Sequence, residues 1–230
     1  MFKWKTSKGN TIHLIKIGIT NCYLIETPKT TILVDTGRKK KEKVLISTLS
    51  RLLEVKKLDY LILTHTHYDH TENVLGIKQK FNPEIIVHQS EATNLKQGFT
   101  SLPRGTNFIT DLISAAGNKY ARWIGEYDGV KADIEINGAS GKELIEGIRI
   151  IETPGHTIGS ISIIVDNEIA LVGDTLFGIF RNKILPPFAD DQKRLFESWN
   201  KLAQTDCKLF LPAHGRRVKS ELLKRELLKK

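Results

Sequence analysis

The chain alternates short apolar runs with longer segments in which apolar residues recur every three or four positions. The short runs are rich in Ile, Val and Leu and are bounded by Gly, Pro, Asn or Asp, so they predict β-strands. Several of them are apolar at most positions, which is typical of sheets covered on both faces. The predicted strands are Thr11–Ile17, Cys22–Glu26, Thr31–Val34, Tyr60–Leu63, Ile85–His88, Ile148–Glu152, Ile161–Val165, Ile169–Val172 and Leu209–Leu211.

The longer periodic segments predict helices. In the segment Asp190–Gln204, Leu195, Trp199 and Leu202 recur at helical spacing and share one face. Asp190 is the predicted N-cap of this helix, and Asp191 is the alternative. The predicted helices are Lys40–Leu53, Thr71–Gln79, Ser90–Gln97, Asp190–Gln204 and Ser220–Lys229.

The order of elements in the first half of the chain, strands and then mixed strands and helices, is repeated in the second half. This order predicts two sheets packed together with helices outside. A hairpin is predicted to turn at Asp166 and Asn167. Residues Thr93–Asn137 differ, because their periodicity is weaker and they contain several glycines and the basic-aromatic stretch KYARWIGEYDGV. We interpret them as a partly helical insertion that covers another part of the protein.

The length of 230 residues suits a single domain, residues 1–230, with a sizeable core. Apolar residues make up 40% and charged residues 27%, which is typical of a globular chain. We find neither a run of about 20 apolar residues nor a secretory signal, so we expect a cytoplasmic protein without a membrane partner. Cys22 and Cys207 lie in apolar surroundings and predict free thiols.

The net charge of +9 permits an acidic partner. The lysines are spread along the chain, however, so we interpret the charge as a solvated surface. Nucleic acid is therefore a disfavoured partner, and a small-molecule substrate is the expected one. The sequence does not specify the oligomeric state.

The segment THTHYDH follows the predicted strand Tyr60–Leu63 and places four potential metal ligands within six residues. Alternate residues of an extended segment point the same way, so His65 and His67 are expected to face one metal together. Asp69 and His70 then turn to an adjacent position as a helix begins. This spacing suits two neighbouring metals better than one.

Three further ligand-type residues each follow a predicted strand: His156 in TPGHT, Asp174 in LVGDTLF and His214 in LPAHG. Small or rigid residues beside each of them allow close backbone approach to a crowded site. Imidazole and carboxylate ligands suit zinc, and also iron or manganese. His13 and His88 lie inside strand patterns and are predicted to be structural histidines.

With the early LVDTG and the later PGHT, GDTLF and PAHG, the sequence resembles the metallo-β-lactamase-fold hydrolase superfamily, in particular its glyoxalase II and lactonase-like branch. The resemblance covers nearly the whole chain, in the family's motif order. It implies an α+β fold, a four-layer αββα sandwich, carrying the partly helical insertion at about 93–137. It also implies a dinuclear metal-dependent hydrolase, with two Zn²⁺ per chain and Mn or Fe as alternatives.

The resemblance further implies the role of each ligand. Asp69 would also be catalytic, because it can accept a hydrogen bond from the attacking hydroxide, and Asp35 would orient groups of the site without binding metal. The implied ligands are His65, His67 and His156 for the first metal, Asp69, His70 and His214 for the second, and Asp174 as the bridge.

The expected reaction is attack of a metal-bound hydroxide on an ester-like bond, a lactone or a thioester, of a small molecule. Two alternatives remain: an oxidoreductase similar to the single-iron persulfide dioxygenases, and a phosphodiesterase or RNA-processing nuclease. A non-catalytic binding module is disfavoured by the intact ligand set. The insertion offers candidates for an acyl pocket, which are otherwise ordinary core residues: Phe99, Phe108, Leu112, Tyr120 and Trp123.

Overall fold

The computed structural model describes residues 2–137, 143–145 and 147–230. The chain forms two compact units. The first unit comprises Met1–Thr100 and Gly125–Ile136, and the second comprises Ser101–Ile124 and Asn137–Lys230. The single-domain organisation stays a prediction.

The first unit contains a seven-stranded sheet whose spatial order follows the sequence. The first four strands pair antiparallel, and each later strand pairs parallel with the one before it. Helices cross over between the parallel strands, as parallel pairing requires. The strands are β1 (Lys3–Lys5), β2 (Thr11–Ile17), β3 (Thr20–Glu26), β4 (Thr31–Val34), β5 (Tyr60–Ile62), β6 (Glu84–His88) and β7 (Ile134–Ile136).

The helices of the first unit are α1 (Glu42–Leu53), α2 (Tyr68–Thr71), α3 (Val74–Phe81) and α4 (Gln89–Gln97). The buried face of α1 carries Leu45, Leu49 and Leu53 at four-residue spacing, and these leucines belong to the core of the unit. The predicted helix Thr71–Gln79 is instead two helices. The chain starts helical geometry three residues earlier, within the ligand motif, and breaks before α3 begins.

The second unit contains a six-stranded sheet with the order β13-β12-β11-β10-β9-β8. Strands β11 and β12 are parallel, and the other neighbours are antiparallel. Every residue of β10 and β11 is buried, which confirms that both faces of these strands are covered. The strands are β8 (Glu143–Ile145), β9 (Ile148–Glu152), β10 (Ile161–Val165), β11 (Ile169–Gly173), β12 (Leu209–Pro212) and β13 (Val218–Lys219).

The hairpin between β10 and β11 turns where the sequence predicts it. Asp166 and Asn167 both adopt positive φ angles, 53° and 58°. Aspartate and asparagine tolerate this left-handed conformation better than other residues with side chains, which explains why they stand there.

The helices of the second unit are α5 (Phe108–Tyr120), α6 (Gln192–Ala203) and α7 (Ser220–Leu227). Leu195, Trp199 and Leu202 form the buried face of α6, as their spacing predicts. The N-cap is Asp191, whose side chain accepts a hydrogen bond from the backbone N–H of Arg194 at 3.0 Å. The preferred prediction, Asp190, was wrong, because its carboxylate accepts the backbone N–H of Arg104 instead, at 3.1 Å.

The segment Thr93–Asn137 is partly helical, as predicted, but its ends belong to regular elements of the first unit. It begins inside α4 and ends one residue beyond β7, so Ser101–Ile124 and the last residue, Asn137, lie in the second unit. The apolar residues Phe108, Leu112, Tyr120 and Trp123 are exposed, so the interpretation of them as core was wrong. In the described residues, every helix falls short of the length and apolar character that a membrane span requires.

Candidate metal-binding groups

The first ligand group, His65, His67, Asp69 and His70, lies in the first unit, just after β5. The His65 and His67 rings stand nearly perpendicular to each other, with centroids 4.6 Å apart, and one ligand atom of each lies within 4.8 Å of the other. Both side chains are buried. The two imidazoles therefore converge, as the alternation of an extended segment predicts.

The short helix α2 brings the other two members of the first ligand group to the same place. His67 occupies its N-cap position with an extended backbone, and Asp69 and His70 follow in its single turn. The rings of His65 and His70 have centroids 4.0 Å apart, and Nε2 of His70 lies 3.9 Å from Oδ1 of Asp69. The change from extended to helical backbone thus gathers three imidazoles and one carboxylate.

Asp35 fixes the orientation of His70. It follows β4 with a positive φ of 59°, a conformation that aspartate tolerates better than most residues with side chains. Its buried Oδ2 accepts a hydrogen bond from Nδ1 of His70 at 2.9 Å. Oδ1 accepts the backbone N–H of Thr64 at 2.9 Å. A carboxylate at Nδ1 favours the tautomer whose lone pair is on Nε2, the atom that faces Asp69.

A second buried carboxylate, Glu91 in α4, supports the backbone between His65 and His67. It accepts hydrogen bonds from both the backbone N–H and the hydroxyl of Thr66. Thr100 donates to the Thr66 hydroxyl at 3.0 Å and also contacts the hydroxyl of Tyr127 at 2.9 Å. Burial raises the pKa of Tyr127 to about 12, so this hydroxyl keeps its proton at neutral pH. The sequence interpretation missed this network.

Cys22 is buried beside the first ligand group. Burial raises the pKa of its thiol well above the ordinary value, and the carboxylates of Asp35 and Asp69 raise it further. A protonated, buried thiol is a poor nucleophile. Cys207 is also buried and free, and burial raises its pKa too. Both cysteines are free thiols, as predicted.

The second ligand group, His156, Asp174 and His214, lies in the second unit, where each residue follows a strand. The two carboxylate oxygens of Asp174 face different histidines. Oδ2 lies 3.6 Å from Nε2 of His156, and Oδ1 lies 3.5 Å from Nε2 of His214. All three residues are buried.

Glycines beside the two histidines allow the backbone to pack closely, as predicted. Gly155 has a φ of 134°, and a Cβ there would lie 2.3 Å from the backbone nitrogen of Leu195. Gly215 has a φ of 87°, and a Cβ there would lie 2.2 Å from the backbone carbon of Gly178. Any other residue would force these segments apart and displace the adjacent histidine.

Contacts within the second unit hold its ligand group in place. Nδ1 of His156 lies 2.9 Å from the carbonyl oxygen of Phe188, which leaves Nε2 directed at Asp174. The Trp199 indole N–H donates to the carbonyl of Thr175, directly after Asp174, at 2.7 Å. The backbone N–H of Gly178 donates to the carbonyl of His214 at 2.8 Å.

The donor chemistry of both groups fits a divalent metal. Two ligand atoms bound to one zinc ion at about 2.0–2.2 Å in a tetrahedral arrangement lie roughly 3.3–3.6 Å apart. The Asp174 oxygens lie at such distances from Nε2 of His156 and of His214. These distances are too long for hydrogen bonds. Buried imidazoles and carboxylates in this arrangement suit zinc, iron or manganese.

The two histidines that the sequence predicts to be structural have hydrogen-bonding partners within the first unit. His13 contacts Glu26 across β2 and β3. His88 accepts the backbone N–H of Ser90 at 3.1 Å and so caps α4. The Thr71 hydroxyl donates to the carbonyl of His67 at 2.9 Å, which joins the last residue of α2 to its N-cap.

We expect Asp35→Asn to reduce metal affinity. The amide would still fit the space but would lose the negative charge that holds Nδ1–H of His70. Removing a residue that hydrogen-bonds a metal ligand in this way lowers metal affinity or activity by roughly 10–100-fold. Competition with a chelator measures this loss, with Asp59→Asn as a control aspartate of the same unit that bonds the backbone of Thr31. Unchanged affinity in Asp35→Asn would show that the contact does not orient a ligand.

Comparison with known proteins places this fold in one family. Residues 15–214 match the family model of the metallo-beta-lactamase superfamily. A protein of Methanocaldococcus jannaschii named probable metallo-hydrolase is 34% identical over 158 residues, which cover 69% of this chain and 68% of that protein. The chain spans about half the length of the fungal lactamase-like proteins that it matches, such as adaB of Aspergillus niger.

Solved structures agree with this assignment. An archaeal metallo-beta-lactamase superfamily protein from Sulfolobus tokodaii has a TM-score of 0.67 at 24% identity, covering 95% of this chain and 85% of that one. A protein crystallised in a di-iron-bound form has a TM-score of 0.67 at 19% identity, covering 93% and 97% of the two chains. These similarities confirm the predicted fold class. The chain belongs to the metallo-β-lactamase superfamily.

Proposed function

We propose that this protein is a dinuclear metal-dependent hydrolase that cleaves an ester-like bond, a lactone or a thioester, of a small molecule. The two ligand groups would together form one centre for two zinc ions. The membership of the chain in a superfamily with metallo-hydrolase relatives supports this proposal. The proposed ligands are His65, His67 and His156 for one ion, Asp69, His70 and His214 for the other, and Asp174 for both.

The observation that carries the proposal is the position of Asp174. A carboxylate that serves a single metal can direct one oxygen or both oxygens toward that ion. Here the two oxygens face two different histidines, at 3.6 and 3.5 Å. That arrangement suits a bridge between two ions, each with its own histidine.

Two bound metals would supply a water of near-neutral pKa and polarise the scissile bond. The residues of the chain would orient the attacking water. Asp69 is partly exposed, whereas His65, His67 and His70 around it are buried, so its carboxylate can meet solvent and substrate. It would accept a hydrogen bond from the attacking water and turn a lone pair of that water toward the substrate.

The identity of the metals is part of the proposal. Imidazole-rich sites with carboxylates favour zinc, yet they also accept iron. The similar structure in a di-iron-bound form makes iron the second candidate. Iron would also allow the oxidoreductase chemistry of the persulfide dioxygenase type, so the metal content and the reaction must be tested together.

The test is a hydrolysis panel with the full chain loaded with zinc: lactones, thioesters and phosphodiesters. We expect turnover of at least one lactone or thioester, and a loss of roughly 10²–10⁴-fold in Asp69→Asn, in which the amide is a poor proton acceptor. Asp59→Asn serves as the control. Turnover confined to phosphodiesters would show that the substrates are phosphodiesters and not lactones or thioesters. Full turnover in Asp69→Asn would remove Asp69 from the mechanism.

A further inference from the structure

The polar side of helix α5 is hydrogen-bonded to the protein, and its apolar side faces solvent. At about 100° per residue, the large apolar residues of this helix fall within an arc of about 140°. They are between 55% and 85% exposed. This exposed surface, called the α5 apolar face below, consists of Phe108, Ile109, Leu112, Ile113, Ala116 and Tyr120.

The opposite arc of α5 is held by hydrogen bonds within the second unit. The Ser114 hydroxyl donates to the carbonyl of Pro103 at 2.6 Å. The Asn118 side chain donates to the carbonyl of Leu102 and accepts its N–H, both at 2.9 Å. These contacts fix the orientation of the helix. Because the helix is held in this orientation, the α5 apolar face is directed toward solvent.

The charges on and beside the α5 apolar face are positive. Lys119 lies within the apolar arc, with its ammonium 5.0 Å from the ring centroid of Tyr120, and Arg122 and the exposed Trp123 follow shortly after the helix. The one acidic residue of the helix, Asp111, lies on the polar side, where its carboxylate accepts the backbone N–H of Gly105 at 3.2 Å. The face thus combines aliphatic side chains, amphipathic aromatic residues and cations.

We propose that the α5 apolar face binds the surface of a lipid bilayer that contains anionic headgroups. Aliphatic and aromatic side chains would enter the boundary between headgroups and acyl chains, and Lys119 and Arg122 would meet the headgroup phosphates and carboxylates. Tyr120 and Trp123 suit this boundary, because their rings are apolar at one end and polar at the other.

Charge and size favour a bilayer over a second copy of this chain. Each copy carries a net charge of +9, so two copies repel, whereas an anionic surface attracts the chain. A stable protein interface takes about 20–30 residues from each side, far more than α5 presents. A helix that lies in the plane of an interface buries one apolar face there, and α5 presents such a face.

This proposal departs from the expectation that the protein has no membrane partner. That expectation was based on the lack of an apolar run of about 20 residues, which is the length of a membrane span. A helix that lies on a bilayer is recognised by a one-sided apolar arc, and the 13 residues of α5 are enough for that.

The test is co-sedimentation of the full chain with vesicles of phosphatidylcholine and phosphatidylserine, compared with vesicles of phosphatidylcholine alone. We expect binding to the anionic vesicles that weakens as salt rises. The double variant Ile109→Ser/Leu112→Ser should bind about tenfold or more weakly. The matched control is Val44→Ser/Val55→Ser, which removes two exposed valines elsewhere.

Lys119→Gln/Arg122→Gln should reduce the preference for anionic over neutral vesicles. Emission from Trp123, isolated by comparison with Trp123→Phe, should shift to shorter wavelength when vesicles are added. Equal binding of the serine variant and the parent protein would overturn the proposal. A dimer in sedimentation equilibrium that depends on Leu112, without vesicle binding, would overturn it too and assign the face to a second copy.

Discussion

Asp174→Asn is expected to lose metal and hydrolytic activity. Its losses in metal affinity and turnover should exceed those of any other single substitution in the ligand groups. The carboxylate faces His156 through one oxygen and His214 through the other. Asparagine keeps the shape but replaces one oxygen with an amide nitrogen and removes the charge. Loss of an outer partner costs up to roughly 100-fold, so loss of a bridging ligand should exceed that.

The matched control for Asp174→Asn is Asp166→Asn. Both aspartates are 8% exposed and both belong to the second unit. Asp166 sits at the β10–β11 turn with a positive φ, which asparagine tolerates. The metal content and the turnover should be normal in the control. Asp174→Asn should hold about one ion per chain or fewer and show no turnover, with the same circular dichroism as the control. Normal metal content in Asp174→Asn would contradict the bridging role.

Trp199→Ala is expected to lower the free energy of unfolding by about 3–5 kcal/mol, the usual cost of removing a large buried aromatic side chain. Trp199 is among the largest fully buried side chains and packs in the core of the second unit. The variant also loses the hydrogen bond from the indole to the carbonyl of Thr175. Urea denaturation of the full chain measures the change.

Two further tryptophan variants separate the causes of this loss. Trp199→Phe keeps most of the packing but removes the donor to Thr175, so it should cost less than Trp199→Ala. Trp123→Ala removes a tryptophan that is 70% exposed and should change stability by less than about 0.5 kcal/mol. Equal losses in Trp199→Ala and Trp123→Ala would mean that burial of Trp199 does not determine its contribution.

Much of the fold follows from hydrophobic patterning, and the exceptions have physical causes. Long apolar runs such as Ile161–Val165 are strands with the predicted bounds, because burial on both faces leaves a continuous signal. The strands that were missed, β1, β7, β8 and β13, have two or three residues each. Runs so short do not show a period, and pairing with a neighbouring strand decides their conformation.

The candidate ligands were predictable, because chemistry restricts the residue types and each one follows a strand. Their supports were harder to see. Thr66 and Glu91 are 25 residues apart in sequence, and nothing local connects them. A glutamate in the first turn of a helix usually caps it in solvent, whereas Glu91 is buried. The exposure of the α5 apolar face was equally hard to predict from the sequence, because periodicity does not tell which side of a helix faces the protein.

The measurement that tests the central claim most directly is the metal content per chain, by elemental mass spectrometry of protein purified without added metal. The proposed dinuclear centre predicts about two ions per chain, with zinc dominant, and about one or fewer in Asp174→Asn. About one iron per chain with little zinc would contradict the dinuclear hydrolase. Oxygen consumption with a persulfide would then be the reaction to measure.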